Sequence, residues 1–398
     1  MAGSNVNSTD LDQDTREKLK GDCIGDTLYS ESFVLKTLLK LSNVDWNEEL
    51  EQDLCFLWDM TLEKEVCQYL FQLNYPALAC SVISQHTEER LLEIIVGILA
   101  NILMADCDRK IDDSEIQIVL NSLNFSDPTI LTQVMRFIES IAYYVPEKIT
   151  LIGEEELAKI QFILKNSENN LLLIQTFQTL IKLTDNFKLG ENFVTAELYK
   201  TSVIGFDTLI NMESDDFEID TEETSMVLKL FLHLLTNICF YVDKYNHDNE
   251  ISTCLNNSSK IYIIIHKILK YFSHENNLFP LSMNFKEYIG SFLTFFTTRD
   301  ISITSYLKFN TFSKDFSSIC KIINLLYKCK DEVEESFDLV LEFLAYFICS
   351  IDKHTILTEL QKIEYKRGIV VLNCLKESLK TSSFDISENL KYFFLYFK

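Results

Sequence analysis

Residues 54–107 read LCFLWDMTLEKEVCQYLFQLNYPALACSVISQHTEERLLEIIVGILANILMADC, and this stretch decides the fold. Its last third is the clearest. Leu91, Leu92, Ile95, Ile98, Leu99 and Ile102 recur at helical spacing and make a wide apolar face, with Thr87 placed to cap the helix. Upstream, Pro76 fits the first turn of a short helix over 77–84. Before it, 54–73 carries Leu54, Leu57, Trp58, Val66, Tyr69, Leu70 and Leu73 on one side, which puts Trp58 on the apolar face. Short, short and longer helices in that order cannot bury their apolar faces alone, so neighbours must stack on them.

The stacking recurs. Ile116 to Leu123 reads as a short helix, and Asp127-Pro128 as the cap and first turn of a long one. Leu99, Ile138 and Leu180 take equivalent places at intervals of about 40 residues, the period of armadillo and HEAT units. Leu235, Leu293 and Leu344 continue the series at wider intervals, with loops absorbing the excess. The expected fold class is therefore all-α: an armadillo/HEAT-like α-solenoid of about six irregular helical repeats. Residues 1–20 are polar and are expected to form a disordered tail. A single solenoid is expected over 21–398, with an acidic, mobile loop at 211–224.

Two helix ends resemble one another. GILANI at 97–102 and HLLTNI at 233–238 are similar to the end of an armadillo third helix. In peptide-binding armadillo proteins the Asn of that motif clamps a partner's backbone and a Trp packs its side chains. The resemblance makes Asn101 and Asn237 candidate groove residues. Gly97 and His233 stand where the Trp belongs, a departure from the importin-like pattern. The structural alternative for Asn101 is an amide that satisfies a group of the next repeat.

Composition excludes several classes. Among 398 residues, 36 are Lys or Arg and 60 are Asp or Glu, so the net charge of −24 repels phosphate backbones and argues against nucleic-acid binding. Such an excess serves solubility, or a groove for a basic, extended partner segment. Only 9 Gly and 4 Pro are present, too few for an all-β chain with many turns. The 11 Cys form no C-x-x-C pair and many fall on apolar faces, the pattern of buried free thiols in a reducing compartment. The longest apolar run, 94–105, is shorter than the ~20 residues that cross a bilayer, and no secretory signal opens the chain, so a soluble intracellular protein is expected.

The segment GDCIGDTLYS at 21–30, then LCFLWDM at 54–60, then VGILANI at 96–102 resembles the serum amyloid A-like (SAAL) family in motif, order and spacing. Gly21, Asp22, Cys23, Ile24, Gly25 and Tyr29 carry the first motif; Trp58, Asp59 and Met60 carry the second. The match covers 21–107, the motif segment and first repeat. The resemblance implies an armadillo-like fold, a nuclear location, a loose link to cell proliferation and no established enzymatic activity; the cytoplasm stays open as a further location.

No reactive constellation competes with that reading. The six His have no His or Cys partner at metal-binding spacing, and no cofactor or metal is expected. The glycines at 21 and 25 are not followed by the Lys-Ser of a phosphate loop. The expectation is a non-enzymatic scaffold for protein partners, without nucleic acid or membrane. The alternative is a thiol-based redox regulator or enzyme acting through Cys23, for which the sequence supplies neither a base nor an electropositive setting.

Overall fold

The computed structural model describes residues 22–105, 111–185, 192–211, 218–245, 253, 259–298, 306, 312–329, 332–350 and 353–378. The expected tail at 1–20, Gly21 and positions 212–217 of the acidic stretch lie outside these. The chain divides into two compact units, one ending at residue 189 and one beginning at residue 190. Among the described residues there is no β-strand, only an isolated antiparallel bridge between Cys23 and Ser30.

The first unit runs α1 (Glu31–Ser42), α2 (Glu48–Met60), α3 (Lys64–Gln72), α4 (Tyr75–Gln85), α5 (Glu89–Met104), α6 (Asp113–Asn121), α7 (Pro128–Tyr144), α8 (Glu154–Asn166) and α9 (Asn170–Asp185). Residues 54–73 hold two helices, not one pattern. Thr61 ends α2: its hydroxyl donates to the Trp58 carbonyl at 2.5 Å, and its N–H reaches the carbonyls of Leu57 and Trp58. A Thr side chain that competes for backbone carbonyls favours such a stop. Leu54, Leu57 and Met60 are wholly buried, whereas Trp58 is half-buried. Pro76 does sit in the first turn of α4, and Asp127 does cap α7 by accepting from the N–H groups of Thr129 and Ile130. The start of α5 differs from expectation: Glu88, not Thr87, is its N-cap, and it makes no side-chain cap bond.

Helix α5 buries nearly every residue from Leu91 to Leu103. An all-round apolar helix must be enclosed, and α2, α3, α4 and α7 enclose it. Helix α7 lies between α5 and α9, and these long helices line up side by side with the short ones behind. Leu99, Ile138 and Leu180 fall on α5, α7 and α9, all buried, as the ~40-residue period requires.

One core feature predicts an unusual mutation. The Tyr75 ring is fully buried at the start of α4, and its hydroxyl meets no protein partner. A buried unpaired hydroxyl costs about 1–3 kcal/mol, and burial also pushes this phenol's pKa well up. Tyr75→Phe should leave stability unchanged or raise it by about 1 kcal/mol in urea unfolding. A loss of that size would show that the hydroxyl is satisfied.

The second unit runs α10 (Ala196–Ile210), α11 (Glu222–Tyr245), α12 (Ser259–Phe272), the single turn α13 (Glu275–Leu278), α14 (Met283–Thr298), α15 (Phe312–Leu326), α16 (Glu334–Ser350), α17 (Lys353–Leu360) and α18 (Tyr365–Ser378). Here α14 lies between α11 and α16, while α15 packs on α12, α16 and α18. Phe272, Phe285, Phe292, Phe296, Phe343 and Phe347 form a connected aromatic core. The periodic marker Leu293 is half-exposed, and its neighbour Phe292 holds the buried place instead.

The acidic stretch 211–224 is only in part a loop; positions 212–217 lie outside the described residues. Asn211 closes α10 in the left-handed conformation at φ 34°. Glu222 opens α11, and Asp220 accepts from Ser282 Oγ and Asn284 Nδ2, both at 2.9 Å. The Tyr288 hydroxyl donates to the Ile219 carbonyl. These bonds tie Ile219 and Asp220 to the start of α14. Residues 222–241 of α11 are also long and apolar enough to cross a membrane by length and composition, which the run at 94–105 is not. Most of that window is buried within the unit, as in a core helix.

Candidate protein-binding faces

The described part of the N-terminal motif is a turn that anchors the first helices. Asp22 accepts from Ser30 Oγ at 2.5 Å, Ser32 N–H at 2.9 Å and Ser32 Oγ at 2.7 Å. These bonds hold its carboxyl below the usual range. Ser30 in turn caps α1 by accepting from Phe33 N–H. Ile24 is buried, and its N–H donates to the Tyr29 carbonyl. Gly25 takes φ +54°, and a Cβ there would lie 2.8 Å from the Glu65 carboxylate, which accepts from Asp26 N–H. Tyr29 meets Phe56 of α2 edge-on. Asp22, Ile24, Gly25 and Tyr29 thus each have a folding task, and Cys23 stands half-exposed in the bridge to Ser30. Burial pushes the Cys80 and Cys320 thiols up to about 12, which keeps them protonated and unreactive.

Asn101 sits in α5 at 7% exposure, so it is not an open clamp. Its Nδ2 donates to Thr61 Oγ1 at 2.8 Å, and its Oδ1 accepts from the Arg136 guanidinium at 2.8 Å. Arg136 also donates to Gln133 Oε1 at 2.7 Å. The row continues across the unit: Gln175 of α9 donates to Glu139 of α7 at 2.6 Å, and the Lys182 ammonium lies 5.4 Å from the centre of the Tyr143 ring. The sequence alone assigned no site role to Thr61, Arg136 or Lys182. Their signal is the repeat period itself: Thr61–Asn101 and Asn101–Arg136 are 40 and 35 residues apart.

The Trp missing from the 97–102 motif is supplied by another helix. A Cβ on Gly97 would lie 2.2 Å from Trp58 Cζ2 and 2.4 Å from Cε2, so the indole lies directly on the glycine. Gly97→Ala should therefore destabilise by about 1–3 kcal/mol, the cost of overpacking. In a Trp58→Ala background the same change should stabilise by up to about 1 kcal/mol, because Ala is the better helix former. A double-mutant cycle by urea unfolding reads the sign change; the same sign in both backgrounds would refute the contact.

In the second unit Asn237 occupies a different environment. It is half-exposed and lines an open groove between α11 and α14 with Lys229, His233, Glu287, Ser291 and Thr294. The groove encloses ≈ 440 Å³, within the range of about 300–1,000 Å³ of ligand clefts. Gly290 also lines the groove, and a Cβ there would meet only Leu339 of α16, at 4.0 Å. A second cleft, ≈ 640 Å³, lies in the first unit over Leu131, Ile163 and Leu172. Its polar lining is spent locally, with Asn166 donating to Phe162 and Asn169 capping α9. Among the described residues no group of His, Cys, Asp and Glu could hold a metal.

Helices in repeated groups, with the long member of each group side by side in both units, define an all-α repeat protein of armadillo type. Among known proteins the chain is similar to the SAAL1 proteins, in agreement with the motif resemblance. It is 29% identical over 195 residues to Protein saal1 of Danio rerio, covering 44% of this chain and 42% of that one. It is 25% identical over 268 residues to Protein saal1 of Xenopus tropicalis, covering 59% and 55%. Protein SAAL1 of Homo sapiens is 26% identical over 200 residues, covering 42% and 40%. The matches thus span about half the length of these curated relatives. No family model matches the chain. Solved structures similar to it include a designed armadillo repeat protein in complex with the peptide (KR)4, at 15% identity and TM-score 0.42, covering 65% of this chain and 98% of that one. An engineered protein aligns at 13% identity and TM-score 0.47, covering 66% and 98%.

Proposed function

We propose that the chain is a non-enzymatic scaffold that binds protein partners along the faces made by its long helices, as one armadillo-like solenoid over 21–398. The observation that carries this is the open groove between α11 and α14, where Asn237 stands half-exposed among hydrogen-bonding side chains. Such a groove suits an extended segment, whose backbone needs donors and acceptors and whose side chains need recesses. Lys229 and Glu287 pair across the groove at 3.7 Å, and the carboxylates of Asp338 and Glu342, exposed on α16 beside α14, favour a basic segment. A nuclear location and a link to cell proliferation, which the motif resemblance implies, belong to the same proposal.

Photo-crosslinking tests the groove. A photoreactive residue at Ser291 should capture proteins in cells, whereas one at the exposed Lys270 on α12 should not. Equal capture at the two positions would overturn the assignment.

A further inference from the structure

Two cations of the first unit share one face without an ion-pair partner among the described residues. The Arg136 guanidinium is half-buried, and its two hydrogen bonds both go to neutral amide oxygens, those of Gln133 and Asn101. Lys182 is half-buried over the Tyr143 ring. Among the described residues no carboxylate lies within ion-pair distance of either. Glu139, one turn from Arg136, gives its carboxylate to Gln175 instead. In a chain with 60 acidic and 36 basic residues, leaving two partly desolvated cations unpaired side by side is unusual. Burial lowers the guanidinium's pKa from its ordinary value, with Glu139 only partly opposing that shift. A fork with three donors unspent is built to take a carboxylate bidentately.

The surroundings supply apolar contact. Trp58 lies on Gly97, one helical turn from Asn101, and remains half-exposed. Leu62, next to Thr61, is 81% exposed, and Met104, three residues beyond Asn101, is 48% exposed. Arg136 and Tyr143 are two turns apart on α7, about 10 Å. Carboxylates on alternate residues of an extended segment are ~6.8 Å apart, and flexible Glu and Lys side chains span the remainder.

We infer that the face formed by α5, α7 and α9 binds an acidic, apolar segment of a protein partner, with carboxylates on Arg136 and Lys182 and an aliphatic side chain against Trp58. This rests on the scaffold reading but concerns a different face and the opposite partner charge from the Asn237 groove. The two stand or fall by separate experiments.

The probe is a short alternating Glu–Leu peptide, compared with Gln–Leu and Lys–Leu counterparts. Binding is read by fluorescence in a Trp46→Phe background, where Trp58 is the remaining tryptophan. The Glu–Leu peptide should bind, and the other two should bind at least about tenfold more weakly, the scale of a charge-assisted hydrogen bond. Arg136→Gln should lose a similar factor. Because Arg136 also holds Asn101, Lys182→Gln serves as the second variant, since its contact is only with the Tyr143 ring; it should weaken the Glu–Leu peptide severalfold with an unchanged melting temperature. Equal binding of the Glu–Leu and Gln–Leu peptides would overturn the inference, as would a Lys182→Gln variant with unaltered affinity.

Discussion

Asp315→Ala is expected to cost about 3–5 kcal/mol of stability, the scale of breaking a buried pair by removing one partner. Asp315 opens α15 and its side chain is fully buried. One carboxylate oxygen meets His266 Nδ1 of α12 at 2.5 Å, and the other accepts from the Tyr306 hydroxyl at 2.5 Å. Tyr306 is itself wholly buried, against Phe296 and Phe347. Removing the carboxylate strands a phenol and an imidazole in the aromatic core, and both lose the group that orients them. Burial and the adjacent Asp315 charge push the Tyr306 pKa well up, so the phenol keeps its proton and remains the donor. Urea unfolding of the intact chain measures the loss. A change under about 1 kcal/mol would place the network in water.

Asn101→Ala should cost about 2–3 kcal/mol, while Asn237→Ala should stay within about 0.5 kcal/mol. The two residues occupy the same place in their motifs but not in their units. Deleting the Asn101 amide leaves the Thr61 hydroxyl oxygen without its donor and one N–H of a half-buried guanidinium without its acceptor. Hydrogen bonds to charged groups are the expensive ones to lose. Asn237 lines an open groove, where water replaces whatever its side chain gives up. Parallel thermal and urea melts of the two variants check this. Equal losses would mean that both amides are structural.

These contrasts show how far the chain can be read without coordinates. The long helices were legible because their burial is periodic: Leu99, Ile138, Leu180, Leu235 and Leu344 all fall in the core. Leu293 misled by one position, because aromatic and aliphatic neighbours are interchangeable in a periodic pattern and only packing selects Phe292. Asn101 and Asn237 looked equivalent because a motif records local sequence. Their difference comes from Thr61 and Arg136, each about one repeat away. Gly97 read as a missing Trp, yet Trp58 fills the space above it from α2. The Asp315 network was not legible in the sequence, since His266 and Asp315 are separated by 49 residues, beyond the ~40-residue period that marks the first unit.

The central claim is that partners engage the face around Asn237. A random-peptide display library selected on the whole chain tests it most directly, with the enriched peptides measured against wild type and Asn237→Ala. The account predicts enriched peptides that lose about fivefold or more in affinity for Asn237→Ala, the scale of one lost hydrogen bond, at an unchanged melting temperature. Enriched peptides that bind both proteins equally, or no enrichment at all, would contradict it.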